Sequence, residues 1–134
     1  MNAVDTNVLI YAHDPRDPAK QDKAVELIDT LTDGVLLWQV ACEYVAASRK
    51  LVAFGLDQQQ ALADLGRLRR KWRPAISHWA VLDRAETLIL TGNLSFWDAL
   101  IVAACVENGV TQLYSEDFDA STSTLTGVDI INSF

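Results

Sequence analysis

The stretch Ala3-Val4-Asp5-Thr6-Asn7-Val8-Leu9-Ile10-Tyr11 decides how the rest of the chain is read. Ala3 and Val4 make a minimal strand, Asp5 interrupts it, and Val8 to Ala12 continues apolar as a short helical turn. A carboxylate between a strand and a helix, amid apolar neighbours, is either the cap of that helix or part of a site. Working outward, strand and helix keep alternating. A helix begins near Pro18 and runs to about Leu31, with Ala24, Leu27, Ile28 and Leu31 on one face. Asp33-Gly34 marks a turn. Val35-Leu36-Leu37-Trp38 has the length and composition of a buried strand. Val40, Ala41, Tyr44, Val45, Ala47 and Leu51 then recur at helical spacing until Gly55. Asp57 caps a helix through about Arg70. Pro74-Ala75-Ile76 reads as a short strand. Val81, Ala85, Leu88 and Ile89 give a helix closed by Gly92. Ser95 opens another through Glu107, with Gly109 as its stop. Gln112-Leu113-Tyr114 and Val128-Asp129-Ile130-Ile131 read as the last strands. The polar stretch 119–126 reads as a surface loop that could equally edge a substrate groove.

This alternation makes an α/β fold with a parallel sheet covered by helices the economical architecture. In such sheets a ligand binds outside the carboxyl ends of the strands, where the strand order switches. The chain has 134 residues, half of them apolar, so residues 1–134 are expected to form a single domain with its own core. Its two cysteines, Cys42 and Cys105, lie far apart, which fits a reduced, cytoplasmic protein better than a disulfide framework. No apolar run approaches a membrane span, and the N-terminus lacks the basic region of a signal peptide. Eleven basic side chains against eighteen acidic ones give a net charge of −7, which argues against gripping nucleic acid by bulk charge.

Four acids fall where the sheet rule points: Asp5 after the first strand, Glu43 early in the helix after the second, Asp98 in the first turn of the helix opened by Ser95, and Asp117 after the Tyr114 strand. Each has a structural reading. Asp5 could cap the turn after it, Asp98 could complete a capping box with Ser95, Glu43 could be the solvent edge of an amphipathic helix, paired with Lys50 or a neighbour, and Asp117 could sit in an Asx turn. Together they suggest more. Like charges about 4 Å apart repel by roughly 4 kcal/mol at an effective dielectric of ~20, and a divalent cation removes that penalty. Oxygen ligands without a His or Cys cluster favour Mg²⁺ or Mn²⁺, which suits phosphodiester hydrolysis.

Asp5-Thr6-Asn7-Val8-Leu9-Ile10-Tyr11 resembles the opening motif of PIN-domain ribonucleases. Leu94-Ser95-Phe96-Trp97-Asp98-Ala99-Leu100-Ile101, with Ala103-Ala104, is similar to their third acidic motif, and Tyr114-Ser115-Glu116-Asp117-Phe118 to their closing one. Glu43 fits the glutamate expected between them. The resemblance spans nearly the whole chain, and a short PIN protein is similar to the VapC-type toxins of VapBC toxin–antitoxin modules. It implies a three-layer sandwich with sheet order 3-2-1-4-5 and helices on both faces. It also implies a Mg²⁺- or Mn²⁺-dependent endoribonuclease, with one or two ions and a metal-activated water. Asp5 and Asp98 would be the leading metal ligands, Glu43 and Asp117 would complete the set, and Asn7 and Ser115 would hold the carboxylates. Glu116 competes with Asp117 for the last position, and the motif favours the acid just before the aromatic. The implied partners are a structured RNA such as transfer RNA, a VapB-type antitoxin on the acidic groove, and a second copy of the chain. The apolar faces of 18–31 and 40–52 are candidates for that pairing.

Arg67, Arg69, Arg70, Lys71 and Arg73 crowd one segment around Trp72. They form either a phosphate-binding rim with a stacking ring or the cationic end of a helix. His13 and His78 read as surface residues, and Phe96 and Trp97 as core or pocket wall. There is no Gly-rich phosphate loop. A phosphoreceiver domain would need a lysine after Lys71, and a haloacid-dehalogenase-type phosphatase an Asp at position 7. A non-catalytic PIN-like module binding RNA or protein, and a structure-specific DNA nuclease, remain as alternatives.

Overall fold

The computed structural model describes residues 1–118 and 121–134. Its elements run β1 (Asn2–Val4), α1 (Thr6–Tyr11), α2 (Pro18–Thr30), β2 (Val35–Leu37), α3 (Trp38–Ala47), a 3₁₀ stretch (Ser48–Phe54), α4 (Gln58–Lys71), β3 (Arg73–Ala75), α5 (Trp79–Gly92), α6 (Phe96–Glu107), β4 (Gln112–Tyr114), α7 (Ser121–Thr126) and β5 (Asp129–Ile131). All strand pairs are parallel. β1 pairs β4 with Ala3 opposite Leu113, β4 pairs β5 with Leu113 opposite Ile130, and β2 pairs β3 with Leu36 opposite Pro74. A parallel bridge between Asn2 and Gly34 joins the two groups, giving the order β3-β2-β1-β4-β5 that the resemblance implied.

With parallel pairing in this order, the right-handed crossover rule puts the helices of the β1-to-β2 and β2-to-β3 connections on one face and those of the return on the other. The packing agrees: α1 lies against α2 and α3, α3 against α4, and α5 against α6. The sheet is thin, three residues per strand, so the core rests mostly on helices. Val4, Val8, Leu9, Val40, Tyr44, Leu51, Val102 and Leu113 are all essentially inaccessible.

Several boundaries shift from the sequence reading, each for a local reason. β2 ends at Leu37, and Trp38 opens α3 with 57% of its surface exposed, so it is not a strand residue. The helix after β2 tightens to 3₁₀ from Ser48 and stops at Gly55, whose φ of +92° suits glycine. Asp57 caps α4 as expected, within a full capping box closed by Gln60. The third strand is Arg73–Ala75, leaving Ile76 exposed. Residues 121–126 form α7, where a loop was expected; Asp119 and Ala120, from the same stretch, lie outside the described residues.

Trp72 is buried, only 3% exposed, because its ring lies flat on Gly34, where a Cβ would stand 2.3 Å from the ring. It cannot serve as a stacking ring for RNA. His13 is also not a free surface group: it is half-buried, stacked near the ring of Tyr44, and its Nε2 lies 3.3 Å from Asp64. Burial pushes the Asp64 carboxyl up, but hydrogen bonds from His13, Tyr44 and Arg67 outweigh it and hold it down at about 2. This network ties the end of α1 to α3 and α4. Among the described residues, no helix is long and apolar enough to cross a membrane.

Candidate functional site

The carboxyl ends of β1 and β4 meet at the switch point, because β2 lies on one side of β1 and β4 on the other. The ladder continues past the strands: Asp5 N–H donates to the Tyr114 carbonyl at 2.9 Å and Ser115 N–H to the Ile131 carbonyl at 3.0 Å. Asp5 and Ser115 therefore sit side by side. The Ser115 hydroxyl donates to Asp5 Oδ2 at 2.8 Å, and Asp5 Oδ1 accepts from Thr6 N–H at 2.7 Å, capping α1. The cap of α1 is thus the same carboxylate that stands at the switch point. Asp5 is 5% exposed, and burial, only partly offset by these hydrogen bonds and reinforced by the nearby charges of Asp117 and Glu43, raises its carboxyl from the ordinary 3.8 to about 6.

The neighbours of Asp5 form a connected set. Asn7 donates through Nδ2 to Asp117 at 2.9 Å and faces Ser115 Oγ at 3.5 Å. Its Oδ1 is buried and has no partner among the described residues. Glu43 accepts from the Thr6 hydroxyl and from Gln39 Nε2, both at 2.7 Å, rather than pairing with Lys50. Gln39 also donates to the Trp97 carbonyl at 3.2 Å, which links α3 to the residue before Asp98. Asp98 itself lies in the first turn of α6, its N–H donating to the capping Ser95 hydroxyl at 3.3 Å. Glu116 turns away from Asp5 and is held by Tyr11 and Lys20. Thr6 and Gln39 were not singled out from the sequence. The signal for Gln39 was its place one helical turn before Glu43.

Three members of the basic run, Arg67, Lys71 and Arg73, are engaged away from these acids. Lys71 donates to the Ile28 and Asp29 carbonyls and Arg73 to the Asn108 carbonyl, at the amino ends of the strands, opposite the site. Arg67 is engaged by Asp64 at 2.7 Å. Trp97 and Phe96 are exposed rather than core, in edge contact at 5.1 Å. Trp97, Trp38 and Trp79 line a cavity of about 540 Å³ with Val81, Leu82 and Leu100.

The PIN-domain family model matches residues 3–122. The chain belongs to the PIN-domain family. No curated protein matches it significantly by sequence, but solved structures do by shape. This PIN domain is similar to VapC20 from Mycobacterium tuberculosis, a toxin cleaving the sarcin–ricin loop, at 18% identity and a TM-score of 0.71 over 93% of this chain and 95% of that one. A toxin–antitoxin complex from Klebsiella pneumoniae matches at 14% identity and a TM-score of 0.71, over 100% and 98%. FitAcB from Neisseria gonorrhoeae matches at 19% and 0.60, over 98% and 97%. At these identities the likeness establishes the fold.

Proposed function

We propose that this PIN domain is a Mg²⁺- or Mn²⁺-dependent endoribonuclease acting in the cytoplasm as the toxin of a type II toxin–antitoxin system. The observation that carries the reading is Asp5: a buried carboxylate with a raised pKa, coupled to two further acids at the switch point of a PIN sheet. The toxin and toxin–antitoxin structures of similar shape support the biological setting.

The donor set fits a hard cation. It is all oxygen, and the unpartnered Asn7 Oδ1 supplies one more acceptor at the same place. Among the described residues no three acids stand close enough to enclose an ion by themselves. That is compatible with Mg²⁺, which keeps several waters and takes one or two carboxylates. Asp5 and Asp98 would lead, with Glu43 and Asp117 completing the site. When bound, the ion supplies positive charge for the phosphoryl oxygens and acidifies water. The chain's own part is to orient: Thr6 and Gln39 aim Glu43, Asn7 aims Asp117, and Ser115 and Thr6 hold both oxygens of Asp5.

The acidity of the groove suits a basic segment of a VapB-type antitoxin. For a second copy, the exposed apolar surface of Trp38, Ile76, Trp79 and Leu82 is a better candidate than the faces of 18–31 and 40–52. Incubation of purified protein with structured RNA and with DNA, in Mg²⁺ and in EDTA, tests the reading. We expect Mg²⁺-dependent cleavage of RNA. Cleavage of DNA alone supports the DNA-nuclease alternative, and binding without cleavage supports the non-catalytic one.

A further inference from the structure

Ser115, Glu116 and Asp117 leave β4 with their side chains pointing alternately. Ser115 turns to Asp5 and Asp117 to Asn7, while Glu116 between them faces the other way. There its carboxylate accepts from the Tyr11 hydroxyl, and Lys20 Nζ donates to both of its oxygens at 3.2 and 3.1 Å. The Lys20 ammonium also stands 4.9 Å from the centroid of the Tyr11 ring. Tyr11 is the last residue of α1 and Lys20 lies in the first turn of α2, so two elements grip one side chain of the β4 exit. Asp117, by contrast, is exposed, and its side chain meets the Asn7 amide.

We propose that Glu116 is a positioning residue. With Tyr11 and Lys20 it forms a latch that fixes the direction in which Asp117 leaves the strand. Charge-assisted hydrogen bonds on Glu116 restrict the backbone between Ser115 and Asp117, so releasing them lets the Asp117 carboxylate drift from Asn7 into solvent. The Lys20 ammonium has a second effect. It neutralises the Glu116 carboxylate, so the residue next to Asp117 adds no uncompensated charge. This inference rests on the proposed role of Asp117 in the acid site, and its test separates the two.

The test uses the full chain carrying Glu116→Ala, Glu116→Gln, Lys20→Met or Lys20→Arg. One readout, taken in EDTA, is the pair of Asn7 side-chain amide resonances in a ¹⁵N–¹H spectrum. The other is Mn²⁺ affinity, from the paramagnetic resonance signal of the free ion. Glu116→Ala should move the Asn7 resonances toward those of a free amide and weaken Mn²⁺ binding about tenfold. Lys20→Met should do the same in part, and Lys20→Arg should keep both readouts at wild-type values. If Glu116→Ala does not fold, Glu116→Gln, which can still accept from Tyr11 but loses the ion pair, carries the test with Lys20→Met. Unmoved Asn7 resonances in these variants overturn the latch. So does unchanged Mn²⁺ affinity in a wild type that binds the ion. If the wild type binds no Mn²⁺, the metal reading fails, and the Asn7 resonances alone still decide the latch.

Discussion

Asp5→Asn should stabilise the metal-free protein at neutral pH and destabilise it in acid. Raising a carboxyl from 3.8 to about 6 corresponds to a cost of about 3 kcal/mol for carrying the charge in the folded state, at about 1.4 kcal/mol per tenfold change in proton affinity. The sign follows from proton counts. Between these two values the folded protein holds a proton that the unfolded chain has released, so stability falls as pH rises through the window. Above about 6 the cost is fully present, and below about 4 it is gone. Asparagine carries no charge and escapes the cost. Compared with the neutral acid, its amide brings one more N–H to be satisfied beside Thr6 N–H and the Ser115 hydroxyl, which loses about 1 kcal/mol at every pH. The net expectation is a gain of about 2 kcal/mol at pH 7.5 and a loss of about 1 kcal/mol at pH 4. At ~3–4 °C per kcal/mol for a chain of this size, the neutral-pH gain is a rise in Tm of about 6–8 °C. Thermal and urea unfolding in EDTA across this pH range measures it. A variant less stable than wild type at pH 7.5, or a difference that does not change with pH, would refute the claim that Asp5 is a charge held against its environment.

Thr6→Val keeps the shape of the residue and removes the hydroxyl that donates to Glu43, so RNA cleavage should fall by about tenfold with the circular dichroism spectrum unchanged; full activity would detach Glu43 from the site. Asp57→Ala breaks the capping box of α4 and should lower the urea-unfolding free energy by about 1 kcal/mol without changing cleavage by the folded enzyme. The double reversal Lys71→Glu with Arg73→Glu, at the far edge of the sheet, should leave the salt dependence of RNA cleavage as it is; a flatter salt slope would return the basic run to the RNA path.

The order of the sheet and the place of the four acids were legible because both follow from strong, local signals. Alternating apolar runs set the elements, and the resemblance of the motifs at Asp5, Asp98 and Asp117 set the order. What was not legible turned on packing between distant segments. Trp72 reads as a stacking ring beside its cations until Gly34, just ahead of β2, is seen to receive it. Arg73 reads as part of a rim until parallel pairing with Val35 carries it to the amino edge of the sheet. Asp5 as cap and Asp5 as metal ligand read as alternatives in the sequence, yet the geometry leaves room for both, with one oxygen toward Thr6 and the other toward Ser115. Glu116 and Asp117 are neighbours in sequence. Only the positions of Tyr11, Lys20 and Asn7 show which way each one turns.

The most direct test of the central claim compares RNA cleavage by wild type, Asp5→Asn and Asp98→Asn over a Mg²⁺ titration, with folding checked by circular dichroism. The account predicts that wild-type cleavage is abolished by EDTA and restored by Mg²⁺, and that both folded variants lose at least about a hundredfold in rate at saturating ion. Cleavage that survives EDTA, or that proceeds equally in all three proteins, would contradict it.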